Sequence, residues 1–393
     1  MKKVFKSKCF TEFFAGVGLV RLGLEQNGWS CIWANDISAD KKNTYELNFG
    51  SNDFFERDIW CLTKDVSSIP KSFLATASFP CTDLSVAGER KGLKGSESGT
   101  LFAFLEIIEK QGNNKPKVLM LENVRGFLTS HKGQDIITTV KKLNDLGYIV
   151  DILELDARNF TPQSRPRVFV FAVQRKLAEK TMVMKESDSY ELFSSWELAF
   201  NSSNILRTKT IRNLVYSNPS LSWGILDIPD PPQTSTGLNS VLEDLPDDSK
   251  YWWSSERVDK LYQQMSPRHK EILASYMRLK QHFYGTVYRR MRAGSPKAEL
   301  RTDGIAGCLR TPKGGSSKQI LVKMGYNRFM VRFMTPREYA RLQGVPDSYI
   351  LPKRDTSGYF AMGDAVCAPL ITWISENILS PCYQEYIGHN RQE

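Results

Sequence analysis

From Ser7 to about Val173 the chain alternates two hydrophobic patterns. Short apolar runs (KCFTEFF, WSCIWAND, FLATASF and VLMLEN) read as buried strands. Each is followed by a segment with helical spacing of its apolar positions: VRLGLEQNG, ADKKNTYELNF, TLFAFLEIIEKQ and DIITTVKKLNDLG. This order predicts an open, mostly parallel α/β sheet, because parallel neighbours need a crossover and a helix supplies it. Two further runs, YIVDILEL and RVFVFAV, are separated only by the polar turn DARNFTPQSRP, so they are expected to pair as a hairpin at one edge. After about Arg175 the periodicity weakens and Ser, Asn, Pro and aromatic residues become frequent. Regular patterning returns at MTPREYARLQG and at AVCAPLITWISENIL. The expected division is an α/β domain over 1–178, a smaller loop-rich domain over 179–331, and a segment, 332–393, that returns to the first domain.

Composition narrows the class. A chain of 393 residues, 41% hydrophobic and 24% charged, has room for two domains and is neither a disordered tail nor a membrane-embedded protein. The seven cysteines are odd in number and widely spaced, without a C-x-x-C or a His at ligand spacing, so no metal site is expected and a reducing cytoplasm fits best. The basic start MKKVFKSKCF lacks the apolar run of a signal sequence, and no later stretch has the length of a membrane span.

Charge adds a candidate partner. The formal charge is +10, yet between Arg257 and Arg337 eighteen Lys and Arg stand against four acids, Asp259, Glu271, Glu299 and Asp303. The remainder of the chain is therefore slightly acidic. So local a surplus is expected of a face that binds a polyanion such as nucleic acid.

The carboxyl ends of the strand candidates carry the chemistry. Gly16 and Gly18 follow the first strand and open a helix, a tight turn where backbone can approach a ligand. Asn35-Asp36 ends the second strand, where a carboxylate can hold ribose hydroxyls, and Asp58-Ile59 sits near the expected end of a third strand between ADKKNTYELNF and FLATASF, suited to an adenine edge and face. Each acid could equally cap a helix. Phe79-Pro80-Cys81 follows the fourth strand, with Arg90, Lys91 and Lys94 in the loop beyond it, an electropositive setting that favours thiolate. Glu122-Asn123-Val124 reaches the same edge from the next strand. Arg165 and Arg167 alternate on entry to the last, so both can face an anionic or carbonyl-rich substrate.

These segments together resemble the DNA cytosine C5-methyltransferases of bacteria. FFAGVG is similar to the family's Gly-rich turn, FPCTDLS to its Pro-Cys loop, SGTLF to the helix start after it, and LENV to its Glu-Asn-Val. PQSRPR resembles its Gln-x-Arg-x-Arg, MTPREYARLQGVP its ninth motif, and GDAV its C-terminal Gly-Asn-x-Val. All seven occur in family order. The resemblance implies a seven-stranded, Rossmann-like methyltransferase sheet with a target-recognition domain, acting as a monomer on double-stranded DNA in the bacterial cytosol, at the nucleoid. It implies S-adenosylmethionine as cofactor, near Phe14, Gly16, Gly18, Asp36, Ile37, Asp58, Ile59, Pro80, Leu101 and Ala365. It further implies Cys81 as nucleophile, Glu122 as the acid at the base, Arg165 on the cytosine O2, and Arg167 beside them. Ser85, Arg90, Lys91 and Lys94 in a lid over 82–100, and Arg310, Lys313 and Lys318 in the basic window, are the implied DNA contacts. A restriction-modification or orphan methyltransferase is the expected setting.

Three positions depart from the family. Thr82 stands where Gln is common, Asp364 where Asn is usual, and Cys308-Leu309 in place of a Thr-Leu pair. The competing expectation is an RNA (tRNA) cytosine-5 methyltransferase, a branch with a Cys-Phe-Thr signature inside its catalytic half. Here Cys9-Phe10-Thr11 occurs only before the Gly-rich turn.

Overall fold

Strands buried on both faces read as continuous apolar runs rather than alternating ones, and the first half of the chain obeys this rule. The computed structural model describes residues 7–84, 92–95, 97–185, 195–202, 205–234, 236–292, 294–311 and 318–390. It divides into two compact units: 1–155 with 166–231 and 370–393, and 156–165 with 232–369. This cut differs from the functional division expected at 178/179 and 331/332.

In the first unit β1 (Cys9–Phe13), α1 (Leu19–Glu25), β2 (Ser30–Asp36), α2 (Ala39–Phe49), β3 (Phe54–Glu56) and α3 (Ile59–Leu62) follow one another. Next come β4 (Leu74–Ala77), α4 (Thr100–Lys110), β5 (Val118–Val124), α5 (Gly126–Thr129), α6 (Gln134–Asp145), β6 (Tyr148–Asp156) and β7 (Pro166–Gln174). The seven strands form one sheet in the order β3-β2-β1-β4-β5-β7-β6, the expected fold class. β1 to β5 run parallel, whereas β7 is antiparallel to β5 and β6 lies beside it at the edge, as the short turn between the two runs requires. The chain winds outward from β1 to β3 and then restarts on the other side at β4. That reversal is where open α/β sheets bind ligands, at the carboxyl ends of the strands.

The core between sheet and helices is built from Phe13, Trp33, Phe79, Phe104, Phe127 and the aliphatic faces of α4 and α6. β8 (Met182–Met184) and β9 (Gly224–Leu226) make a small antiparallel pair, and Trp223 bridges to Val150 of β6. Arg207 is buried against Asp151 of β6, its Nε 3.1 Å from the carboxylate. At the other end Thr372 Oγ1 donates to the Gly23 carbonyl, and Tyr383 packs on Trp29 and Phe73, so the last helices close over α1.

The second unit holds a four-stranded antiparallel sheet, β11-β10-β12-β13, from β10 (Phe283–Arg292), β11 (Ser295–Arg301), β12 (Ile320–Gly325) and β13 (Arg328–Phe333). Leu261 and Leu273 from two preceding helices, with Met265 from the turn between them, pack on Val287, Ala298 and Val322 of that sheet. The MTPREYARLQG segment forms a helix over Pro336–Leu342 that begins with a reciprocal capping box, Thr335 with Glu338. Glu338 also takes the buried guanidinium of Arg332.

Candidate active site

The turn after β1 is shaped for a ligand. Phe14 has a positive φ of 55°, rare for an aromatic residue, and Gly16 has φ 59°. The two glycines of the turn differ in purpose. A Cβ on Gly16 would meet nothing within 4 Å, so open space lies over it, whereas one on Gly18 would come within 2.5 Å of Phe49 and 2.9 Å of Tyr45. Gly16 therefore leaves room and Gly18 lets α1 pack on α2. Asp36, almost fully buried, accepts from the Gly16 amide and from the Ser38 amide, each at 3.0 Å. It braces the turn against the end of β2 while keeping further lone pairs for a donor. Asn35 does similar work, donating to the Phe55 and Arg57 carbonyls at 2.8 Å and tying β2 to the exit of β3.

Beyond these, Ile37 is 67% exposed and Trp60 is 44% exposed at the same edge of the sheet. Asp58 caps α3 by accepting from the Trp60 amide at 2.9 Å, the capping role its sequence position left open. Ile59 and Leu101 are buried in the core, beneath rather than on the surface. Glu12, two residues before Phe14, was given no role from sequence. It is buried in β1 beside Arg21, neither carboxylate oxygen makes a hydrogen bond of good geometry, and burial pushes its carboxyl up to about 8.

Cys81 and Glu122 leave neighbouring parallel strands, Ala77 of β4 standing opposite Leu121 of β5. A set of backbone braces fixes the Pro-Cys segment against β5. Asn123 Nδ2 donates to the Phe79 carbonyl at 2.9 Å, Ser98 Oγ donates to the Pro80 carbonyl at 2.9 Å, and the Leu84 amide donates to the Cys81 carbonyl at 3.0 Å. The Leu84 carbonyl lies so close to Gly126 that a Cβ there would sit 2.1 Å away. Asp83 accepts from the Ser98 amide at 2.9 Å and from the Glu97 amide at 3.2 Å, joining the two ends of the 82–100 segment. The braces Asn123 and Asp83 were missed in the sequence, where nothing marks a side chain that bonds to a distant carbonyl or amide.

Cys81 is half-buried and not in a disulfide. Glu122 is paired with Arg167, Nε to Oε1 at 3.1 Å, with both side chains nearly buried. Arg165, expected to share a face with Arg167, has other partners. It is buried in the second unit, where Nη1 donates to the Leu309 carbonyl at 2.8 Å and Nη2 donates to the Gly363 and Ala365 carbonyls at 3.0 and 2.7 Å. Ala365 thus offers its carbonyl to Arg165 and to Gln343 Nε2.

Of the expected DNA contacts, Ser85, Arg90, Lys91 and Lys313 lie outside the described residues, as does the Lys94 side chain. Lys318 places its ammonium over the Tyr359 ring, 4.1 Å from the centroid. Arg310 is exposed, with its guanidinium 5.7 Å from the Tyr288 ring centroid.

No helix among the described residues is long and apolar enough to cross a membrane. The family model of C-5 cytosine-specific DNA methylases matches residues 9–380. The Type II methyltransferase M.NlaX of Neisseria lactamica is 30% identical, with 93% of this chain and 95% of the relative covered. The Type II methyltransferase M.HpaII of Haemophilus parainfluenzae is 28% identical, over 94% of this chain and 88% of the relative. Among solved structures, the S. pombe Dnmt2 methyltransferase superimposes with a TM-score of 0.60 at 18% identity, covering 96% of this chain and 99% of that one, which speaks for the fold. The chain belongs to the C-5 cytosine-specific DNA methylase family and is a DNA cytosine-5 methyltransferase.

Proposed function

We propose that Cys81 is the nucleophile and Glu122 the acid of methylation at a cytosine flipped out of a specific duplex sequence, with S-adenosylmethionine as methyl donor. The observation that carries this is the Asn123 to Phe79 bond, which fastens the Pro-Cys segment to the strand end that bears Glu122. Cytosine C5 is a weak nucleophile until C6 is saturated. The Cys81 thiolate adds to C6, the electron pair of the 5,6 double bond moves into the ring, and N3 receives a proton from Glu122, leaving an enamine with density at C5. S-adenosylmethionine, when bound, supplies an electrophilic methyl group on a sulfonium. Once C5 carries the methyl group, its proton leaves to solvent, N3 returns its proton to Glu122 and the Cys81 thiolate is expelled, which restores the aromatic ring. A thiol cannot reach C6 in a stacked duplex, so the base must leave the helix first.

The residues at the β1 turn fit that cofactor. Open space over Gly16, the Phe14 ring at a strained turn and the exposed Ile37 offer apolar surface to an adenine, and the Asp36 carboxylate offers acceptors to ribose hydroxyls. Pro80 is proposed at the methionine end, Asp58 at the adenine, and Ala365 among the cofactor-binding residues. Arg167 orients Glu122, while Arg165 would meet the cytosine O2 by exchanging one of its carbonyl partners. The 179–331 segment, which holds most of the basic 257–337 window, is proposed to recognise the target; the relatives named above are Type II methyltransferases, and the proposed setting is a cytosolic Type II modification enzyme that acts as a monomer. An RNA substrate is less well supported, since Cys9-Phe10-Thr11 lies buried in β1.

Cys81→Ala should abolish methylation of duplex DNA while cofactor affinity stays within twofold. Duplex carrying 5-fluorocytosine at the target should trap a covalent adduct with the wild type and none with the variant. Turnover by the variant, or no adduct from active wild type, would refute the assignment.

A further inference from the structure

Outside the catalytic unit, the second unit carries a cavity of about 410 Å³ on its sheet, within the range of roughly 300–1,000 Å³ typical of ligand pockets. β10 alternates, so Thr286, Tyr288 and Arg290 share the face opposite the one on which Val287 enters the core, and they stand across from Arg301, Glu299 and Lys297 of β11. Tyr288 lies at the centre, with Arg290 4.9 Å and Arg310 5.7 Å from its ring centroid.

The charges on this face are not equivalent. Arg290 is paired with Glu299 at 2.8 Å and Arg301 with Asp303 at 2.7 Å. Arg310 lines the same cavity and makes no ion pair among the described residues. A phosphate would require converging, uncompensated positive charge, and here it would meet the Glu299 carboxylate. A base-pair edge is different: it is uncharged, offers donors and acceptors side by side, and tolerates a carboxylate next to a guanidinium. An arginine held against an aromatic ring keeps its planar fork presented, and a fork of donors alone needs two adjacent acceptors. In the major groove that pair is O6 and N7 of guanine.

We propose that this cavity is a base-reading pocket in which Arg310 recognises one guanine of the target, positioned by the Tyr288 ring. The inference rests on the reading of the chain as a sequence-specific DNA methyltransferase. Its test uses the full-length enzyme and duplexes degenerate at each position around the methylated cytosine. For the wild type, methylation of the degenerate pool at a defined motif is the control, and its absence would count against the functional reading rather than against Arg310. Arg310→Ala and Arg310→Lys should both relax selection at one guanine position, by about 5- to 150-fold, while other positions keep their preference. Tyr288→Phe, which keeps the ring, should retain the wild-type motif, and Tyr288→Ala should relax the same position as the Arg310 variants. Lysine supplies the charge without the fork, so recovery of the wild-type motif by Arg310→Lys, or uniform weakening across all sequences with a salt slope lower by about 0.9, would make Arg310 a phosphate contact and overturn the proposal.

Discussion

Arg167→Ala tests the catalytic arrangement where the structure is most specific. The pair it breaks joins Nε to the Glu122 carboxylate at 3.1 Å with side chains only 13% and 9% exposed, so water can do little to replace the lost partner. Removing one member of a buried pair costs about 3–5 kcal/mol at full burial. The low end, about 3 kcal/mol, applies here because relaxation of the strand end can admit some solvent. The same change frees the carboxyl proposed to protonate the base from the partner that fixes it. Positioned acids contribute roughly 10²- to 10⁴-fold to rate, so turnover should fall by about a hundredfold or more. The assay is single-turnover methylation at saturating duplex beside urea denaturation, with cofactor affinity measured by calorimetry. Stability and rate should both drop while cofactor affinity changes little, and Arg167→Lys should recover part of the stability but less of the rate, since it restores charge without the planar fork. A variant that loses stability yet turns over within threefold of wild type would show that the pair holds the fold and does not orient Glu122.

Asp36→Ala should weaken cofactor binding by about 1.5–3 kcal/mol, read by calorimetry, with duplex affinity unchanged. Unaltered cofactor affinity would confine Asp36 to bracing the Gly16 turn. Burial holds the Glu12 carboxyl up to about 8, above its value in the unfolded chain, so its contribution to stability is complete below about pH 4 and is lost as the pH rises through 8. Glu12→Gln should flatten the urea-denaturation profile between those limits and exceed wild-type stability at higher pH, and a variant that follows the wild-type decline would place the titration elsewhere. Lys318→Glu should destabilise the second unit by about 0.5–1 kcal/mol through its lost contact with Tyr359, seen as a lower thermal midpoint. An unchanged midpoint would return Lys318 to the free DNA-facing surface.

The catalytic half was legible because its physics is local. Runs such as VLMLEN are buried throughout, and a strand buried on both faces has one reading, while TLFAFLEIIEKQ spaces its apolar residues for a single helix face. The second unit was harder for the same reason. β10, FYGTVYRRMR, buries only Gly285, Thr286 and Val287 at its centre and exposes most of its second half, so its sequence resembles a basic loop although it pairs on both sides. Two anchors between β6 and the residues after β7 leave no local pattern: Arg207 on Asp151 and Trp223 beside Val150 are contacts between residues more than fifty positions apart.

The site shows a second limit of residue-type reasoning. Asp36, Arg165 and Arg167 were picked out as groups that could touch a ligand, and each also holds a protein partner: two backbone amides, three backbone carbonyls and a carboxylate. A buried charged group must be satisfied by the protein, so an acid or arginine at the base of a site does structural work even when it also does chemical work. Lost activity in variants of those three residues therefore cannot be assigned to chemistry without a stability measurement beside it. The braces around Cys81 run through the carbonyls of Phe79, Pro80 and Cys81 itself, so truncation at its Cβ leaves each of them in place. A Cys81→Ala enzyme should accordingly keep the wild-type denaturation midpoint while losing all turnover, and an equal loss of both would move Cys81 into the structural class with the other three.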